Sequence, residues 1–174
     1  GWLVILLVMS GLLALWAGRR TRQRTGLPAG SVIYSDTRDW HAVEEPLVSR
    51  RYGLVGKPDY LLEVNEGGKQ RVIPVEVKSR RRPAAPYDSH ILQLGTYCLL
   101  VEDCYHARPP HGLLRYADAT IQVPFTDELR RAVLDAAAAI RRARTQPSVH
   151  RQHTDPARCR ACGYRPACGA EALD

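Results

Sequence analysis

The sequence predicts a mixed α/β domain with an antiparallel hairpin at its centre. Three observations carry that prediction. Apolar and polar residues alternate through 71–78 after an apolar stretch at 60–64. A Gly67-Gly68 turn signal separates those two runs. Residues 88–103 and 126–144 have the length and apolar content of two helices.

In chain order, residues 31–34 read as a short strand, and 36–45 fit neither template. Residues 47–53, 60–64 and 71–78 read as successive strands, with Leu54-Val55-Gly56 leading into the second. Arg80-Arg81-Arg82-Pro83-Ala84-Ala85-Pro86 is a basic loop broken by proline. A helix over 88–103 follows, then strands at 113–116 and 120–124 around a tight turn at Ala117-Asp118. Thr126 is placed to cap a second helix that ends near Arg144. The tail from Pro147 reads as irregular and holds Cys159, Cys162 and Cys168. No internal repeat and no Walker phosphate loop occurs, which excludes a nucleotide-driven motor of that type.

The hairpin carries the chemistry. A turn centred between Gly67 and Gly68 sets Asp59 opposite Glu76, and cross-strand partners have Cβ atoms about 4.5–5.5 Å apart. Two ionised carboxylates at that separation repel unless a cation lies between them. Lys78, two residues beyond Glu76, projects from the same face because strand side chains alternate. Two carboxylates and an ammonium on one face make a Mg²⁺ site beside a phosphate; the plainer alternative is a solvated, charged hairpin face. On the following helix His90, Gln93 and Tyr97 share one face. A glutamine there needs a partner, either a loop carbonyl or a water or phosphate at the hairpin.

Hydrophobic residues make up 45% and charged residues 25% of the 174, a globular composition. The net charge of +7 suits a polyanionic partner, but four of those charges are Arg19, Arg20, Arg22 and Arg24, and the rest of the chain is only mildly basic. Residues 2–17 are almost unbroken apolar sequence, with Trp2 and Trp16 at the ends and the arginines directly after. That order predicts a single-pass membrane anchor with the remainder cytoplasmic; a buried core helix is the alternative. The cysteine spacing Cys159-x-x-Cys162-x5-Cys168 places three thiols within reach of one metal, with His153 a convenient fourth ligand and Zn²⁺ or an iron–sulfur cluster as occupant.

Taken together, Gly56-x-x-Asp59, Glu76-x-Lys78, Gln93-x-x-x-Tyr97 and the cysteine run resemble the RecB-like nucleases of the PD-(D/E)xK superfamily. The nearest group resembled is the CRISPR-associated exonucleases, over residues 31–170. The resemblance implies a restriction-endonuclease-like mixed β-sheet core flanked by helices. It implies Mg²⁺ or Mn²⁺ on Asp59, Glu76 and the Val77 carbonyl, with an upstream histidine for which His41 is the candidate. Lys78 would position the attacking water, and Gln93 and Tyr97 would support the site. It further implies a [4Fe–4S] cluster, although no cysteine precedes Cys98 to supply the family's upstream ligand. The expected organisation is therefore a transmembrane anchor over 1–18, a basic linker over 19–30, a nuclease core over 31–150 and a cysteine-cluster tail over 151–174. The expected function is a metal-dependent DNA exonuclease acting on single-stranded ends, with CRISPR adaptation or repair proteins as partners. The alternatives are a non-catalytic nucleic-acid-binding module on the same fold and a zinc-stapled membrane adaptor.

Overall fold

The computed structural model describes residue 9 and residues 31–33, 40–66 and 68–173. The chain divides into two units, residues 1–135 and 136–174. In the first unit, strands β1 (Ser31–Ile33), β2 (Trp40–Ala42), β5 (Tyr60–Glu66), β6 (Lys69–Lys78), β7 (His111–Tyr116) and β8 (Thr120–Pro124) form one six-stranded sheet in the order β1-β8-β7-β6-β5-β2. Strands β3 (Leu47–Ser49) and β4 (Leu54–Gly56) pair separately. The run 47–53, expected as one strand, is thus the first arm and turn of a short hairpin, with Gly53 at φ 58° in the bend.

The central hairpin has the predicted register. Glu66 pairs with Lys69 and Tyr60 with Val75, so the strands reverse between residues 66 and 69 as expected. Gly68 sits at φ 78°, a conformation that L side chains rarely adopt. Among the described residues, the only parallel pairing in the sheet joins β6 to β7. Parallel neighbours need a crossover connection, supplied here by helix α1 (Asp88–Cys104).

Strand alternation sorts the side chains of the sheet. Ile73, Val75 and Leu113 are buried on one face with Tyr60, Leu62 and Val64 around them. Leu114, Tyr116, Ile121 and Val123 belong to the other face, in one core with Ile91, Leu94, Tyr97 and Leu100 of α1. Leu129 and Val133 of helix α2 (Asp127–Arg144) complete that core. Thr126 caps α2 as predicted, its hydroxyl accepting from the Leu129 N–H at 3.2 Å. The helices cross at Gly95, where an added Cβ would lie 2.9 Å from Val133 Cγ2 and 3.0 Å from Leu129 Cδ1. Gly95→Val is expected to destabilise the fold by about 1–3 kcal/mol through overpacking, seen as a lower midpoint in thermal denaturation; an unchanged midpoint would count against a tight crossing there.

Two expectations need correction. The tail is not wholly irregular: it contains helices α3 (Pro156–Arg160), N-capped by Asp155, and α4 (Arg165–Cys168). The membrane anchor and the localisation built on it are not supported, because among the described residues no helix is long and apolar enough to cross a membrane. The apolar run at 2–17 itself lies, Met9 apart, outside the described residues.

Candidate active site

The site gathers where β5, β6 and α1 meet. Continuing the β5–β6 register by one position sets Asp59 against Glu76. Asp59 is exposed, and its Oδ2 accepts from the Val77 N–H at 2.7 Å. Glu76 is only 6% exposed. Its Oε1 accepts from Lys78 Nζ at 2.7 Å and from Gln93 Nε2 at 2.8 Å. Lys78 also donates to Gln93 Oε1 at 2.9 Å, and Gln93 Nε2 donates to the Tyr97 hydroxyl at 2.9 Å. Gln93 therefore uses both ends of its amide to bind an ammonium and a carboxylate, a role that needs this side chain's paired donor and acceptor.

Local sequence explains how these groups converge. Glu76 and Lys78 alternate with Val75 and Val77, so they turn together toward α1 while Val75 enters the opposite core. Gln93 and Tyr97 stand one helical turn apart. Gly56 lets β4 approach α1: a Cβ there would lie 2.9 Å from both Tyr97 Cε1 and Leu100 Cδ1. The glycine of the Gly56-x-x-Asp59 motif thus seats Tyr97 as well as leading to Asp59.

Electrostatics mark Glu76 out. Burial pushes its pKa above the ordinary glutamate range; the Lys78 hydrogen bond works against this, and the charge of Asp59 adds to it. Burial likewise raises Tyr97, with Gln93 opposing and Glu76 and Asp59 reinforcing. A buried carboxylate destabilised by a second carboxylate is relieved when a cation joins the pair. The oxygen donors suit a hard ion such as Mg²⁺ or Mn²⁺, which one or two carboxylates hold alongside waters and substrate phosphate. Asp59 and Glu76 carry the oxygen donors that fit it; the Val77 carbonyl, expected as a third, belongs to the residue whose N–H meets Asp59.

Other expected ligands are not assembled. Among the described residues no three His, Cys, Asp or Glu side chains form a group able to hold a metal ion. His41 lies on β2 opposite Leu61 and lines a groove of about 450 Å³ with Glu44, Glu45 and Glu63, a groove that neither Asp59 nor Glu76 lines. Cys159 is buried, Cys168 half-buried and Cys162 exposed, so the three thiols occupy different environments. His153 Nδ1 accepts from the Asp155 N–H at 3.3 Å at the start of α3. The [4Fe–4S] or Zn²⁺ occupant expected for these cysteines is not shown among the described residues. Cys98 is a core residue whose thiol is pushed strongly up by burial, and Cys104 donates to the Val48 carbonyl at 3.6 Å.

Two residues beside the site were not singled out from the sequence. Tyr116, the β7 partner of Lys78, places its hydroxyl 2.9 Å from His90 Nδ1. Asp118 pins the basic loop, accepting from the Arg82 N–H at 2.7 Å with Arg81 Nε 3.7 Å away. The Asp118 carboxyl is held below its usual range chiefly by that backbone N–H. A polar residue in a tight turn was the one available signal for Asp118; Tyr116 read only as a strand residue.

Comparison with known proteins identifies the family. The family model of the PD-(D/E)XK nuclease superfamily matches residues 9–169, a span that takes in the second half of the apolar run. A CRISPR-associated exonuclease Cas4/endonuclease Cas1 fusion from Myxococcus xanthus (strain DK1622) is 33% identical over 135 residues, covering 72% of this chain. The match covers only 23% of that relative's length. The chain belongs to the PD-(D/E)XK nuclease superfamily, as a RecB-like member resembling the CRISPR-associated Cas4 exonucleases.

Proposed function

We propose that this chain is a divalent-metal-dependent deoxyribonuclease that trims single-stranded DNA ends, in a role related to CRISPR adaptation or to recombination and repair. The observation that carries this reading is the closed hydrogen-bond group of Glu76, Lys78 and Gln93, extended to Tyr97 and set beside Asp59. A charged surface hairpin has no need to bury its glutamate or to tie its lysine to a helix glutamine.

Asp59 and Glu76 would hold the ion. When bound, such an ion polarises a phosphoryl oxygen and acidifies water. Lys78 keeps its ammonium oriented through Glu76 and Gln93, so it can offer a proton donor to a water and a positive charge to the phosphate without reorganising. Gln93 fixes both partners, and Tyr97 fixes Gln93. The loop Arg80-Arg81-Arg82, pinned by Asp118, is set to hold the backbone of the strand.

The test is degradation of end-labelled single-stranded and duplex DNA by the full chain, with Mg²⁺, with Mn²⁺ and with EDTA. Metal-dependent shortening from ends supports the proposal. Cleavage of circular single strands would replace the exonuclease reading by an endonuclease, and inertness under every metal would overturn catalysis. Changing Arg80, Arg81 and Arg82 together to alanine is expected to weaken single-strand binding. It should flatten the dependence of log affinity on log salt by about 0.7 for each phosphate that the loop no longer neutralises. An unchanged slope would remove the loop from the interface.

A further inference from the structure

We infer that Tyr87, braced by His90 and Tyr116, is a stacking face for an unpaired base next to the scissile phosphate, and that it restricts the site to single-stranded DNA. This rests on the nuclease reading above and names the part of the site that selects the substrate.

Tyr87 stands at the N-cap of α1 without capping it through its side chain, and it is 49% exposed. Its ring nevertheless has a fixed backing. The Tyr87 and His90 rings stand perpendicular to one another, with centroids 5.2 Å apart and planes at 89°. His90 is in turn held by Tyr116, Nδ1 to hydroxyl at 2.9 Å, with ring centroids 6.0 Å apart. Tyr116 is fully buried, so the row of rings runs from the core to the surface.

The row lies at the edge of the reactive group. Tyr116 is the β7 partner of Lys78, and His90 precedes Gln93 by one helical turn. The Arg80 carbonyl accepts from the Ala117 N–H at 3.1 Å, which brings the start of the basic loop to the end of β7. Burial, with Lys78 and Arg80 nearby, lowers the His90 pKa and keeps its imidazole uncharged near neutral pH. The brace is therefore a neutral ring that adds no further cation.

An exposed aromatic whose bracing ring lies near Lys78 and Arg80 combines the two elements of single-strand binding. Cations track the backbone, and a base lies on the ring whatever its identity. A base inside a duplex has its faces covered by its neighbours and offers none to Tyr87. An unpaired terminal base does.

The experiment measures binding of the full chain to short oligothymidylate in Ca²⁺ or EDTA, so that affinity is read apart from cleavage. One oligonucleotide carries 2-aminopurine near the end and another an abasic residue there. Tyr87→Ala is expected to weaken binding roughly 5- to 150-fold, the range for loss of one stacked base, and to abolish 2-aminopurine quenching. Tyr87→Phe and Tyr87→Trp should keep both. The abasic end should weaken wild type to the level of Tyr87→Ala and leave that variant unaffected. Equal affinity of wild type for abasic and intact ends would overturn the stacking face, and this arm needs no variant to fold. A Tyr87→Ala variant that keeps the wild-type preference for single strands over duplex would also overturn it, leaving the nuclease reading in place. Wild type that neither binds nor cleaves DNA would overturn both.

Discussion

Asp59→Ala is expected to reduce phosphodiester cleavage about a thousandfold or more while leaving the fold nearly as stable as before. Asp59 is exposed and stands just ahead of β5. Within the fold its carboxylate accepts from the Val77 N–H, a hydrogen bond to a charged group, worth about 1.5–3 kcal/mol in general and less at an exposed position such as this one. The catalytic role proposed for it is larger: loss of an ion that polarises phosphate would remove several kcal/mol of transition-state stabilisation, and about 1.4 kcal/mol is tenfold in rate. Lys78→Met should be equally inactive but less stable, because it leaves the buried Glu76 carboxylate without its cation. Matched melting curves and cleavage rates on an end-labelled single strand check both variants. Cleavage by Asp59→Ala at the wild-type rate would move the reaction elsewhere in the molecule.

Acid is expected to switch off cleavage by neutralising Glu76, and added metal to oppose it. Burial, reinforced by Asp59, makes Glu76 hold its proton at a pH where an ordinary glutamate is ionised. Only the ionised form binds a cation, so activity at fixed metal falls as pH drops through that raised value. Proton and ion compete for one carboxylate. Each tenfold increase in Mg²⁺ should therefore shift the acid limb downward by up to about one pH unit until binding saturates. Stability responds in the opposite direction when metal is absent. The folded chain binds this proton more tightly than the unfolded chain, so the Glu76 contribution falls as pH rises from the ordinary glutamate value through the raised one. Rate profiles at two Mg²⁺ concentrations, with melting in EDTA across the same pH range, test both signs. An acid limb indifferent to Mg²⁺ would separate Glu76 from the ion.

Parts of this site were legible because local geometry leaves them no freedom. A two-residue Gly-Gly turn admits one pairing, and from it follow the opposition of Asp59 and Glu76 and the common face of Glu76 and Lys78. Helical periodicity placed Gln93 and Tyr97 together in the same way. The short β3–β4 hairpin was harder to read, since seven mostly apolar and basic residues look like one strand until Gly53 is seen to bend. The cysteine spacing was legible, but spacing does not set exposure: Cys159 is buried where Cys162 is exposed. The apolar run at 2–17 was read by hydropathy, which reports what a segment shuns and not whether lipid or protein covers it.

From sequence came the hairpin, its register and the two carboxylates with their lysine, all consequences of strand alternation and a short turn over neighbouring residues. Tertiary structure decided that β7 lies parallel beside β6, that Tyr116 therefore stands next to Lys78 and backs His90, and that Asp118 reaches across to hold the Arg82 backbone. Those pairings join residues 26–38 positions apart in the chain. No local periodicity encodes them; they exist because the α1 crossover returns the chain to the sheet beside the strand it left.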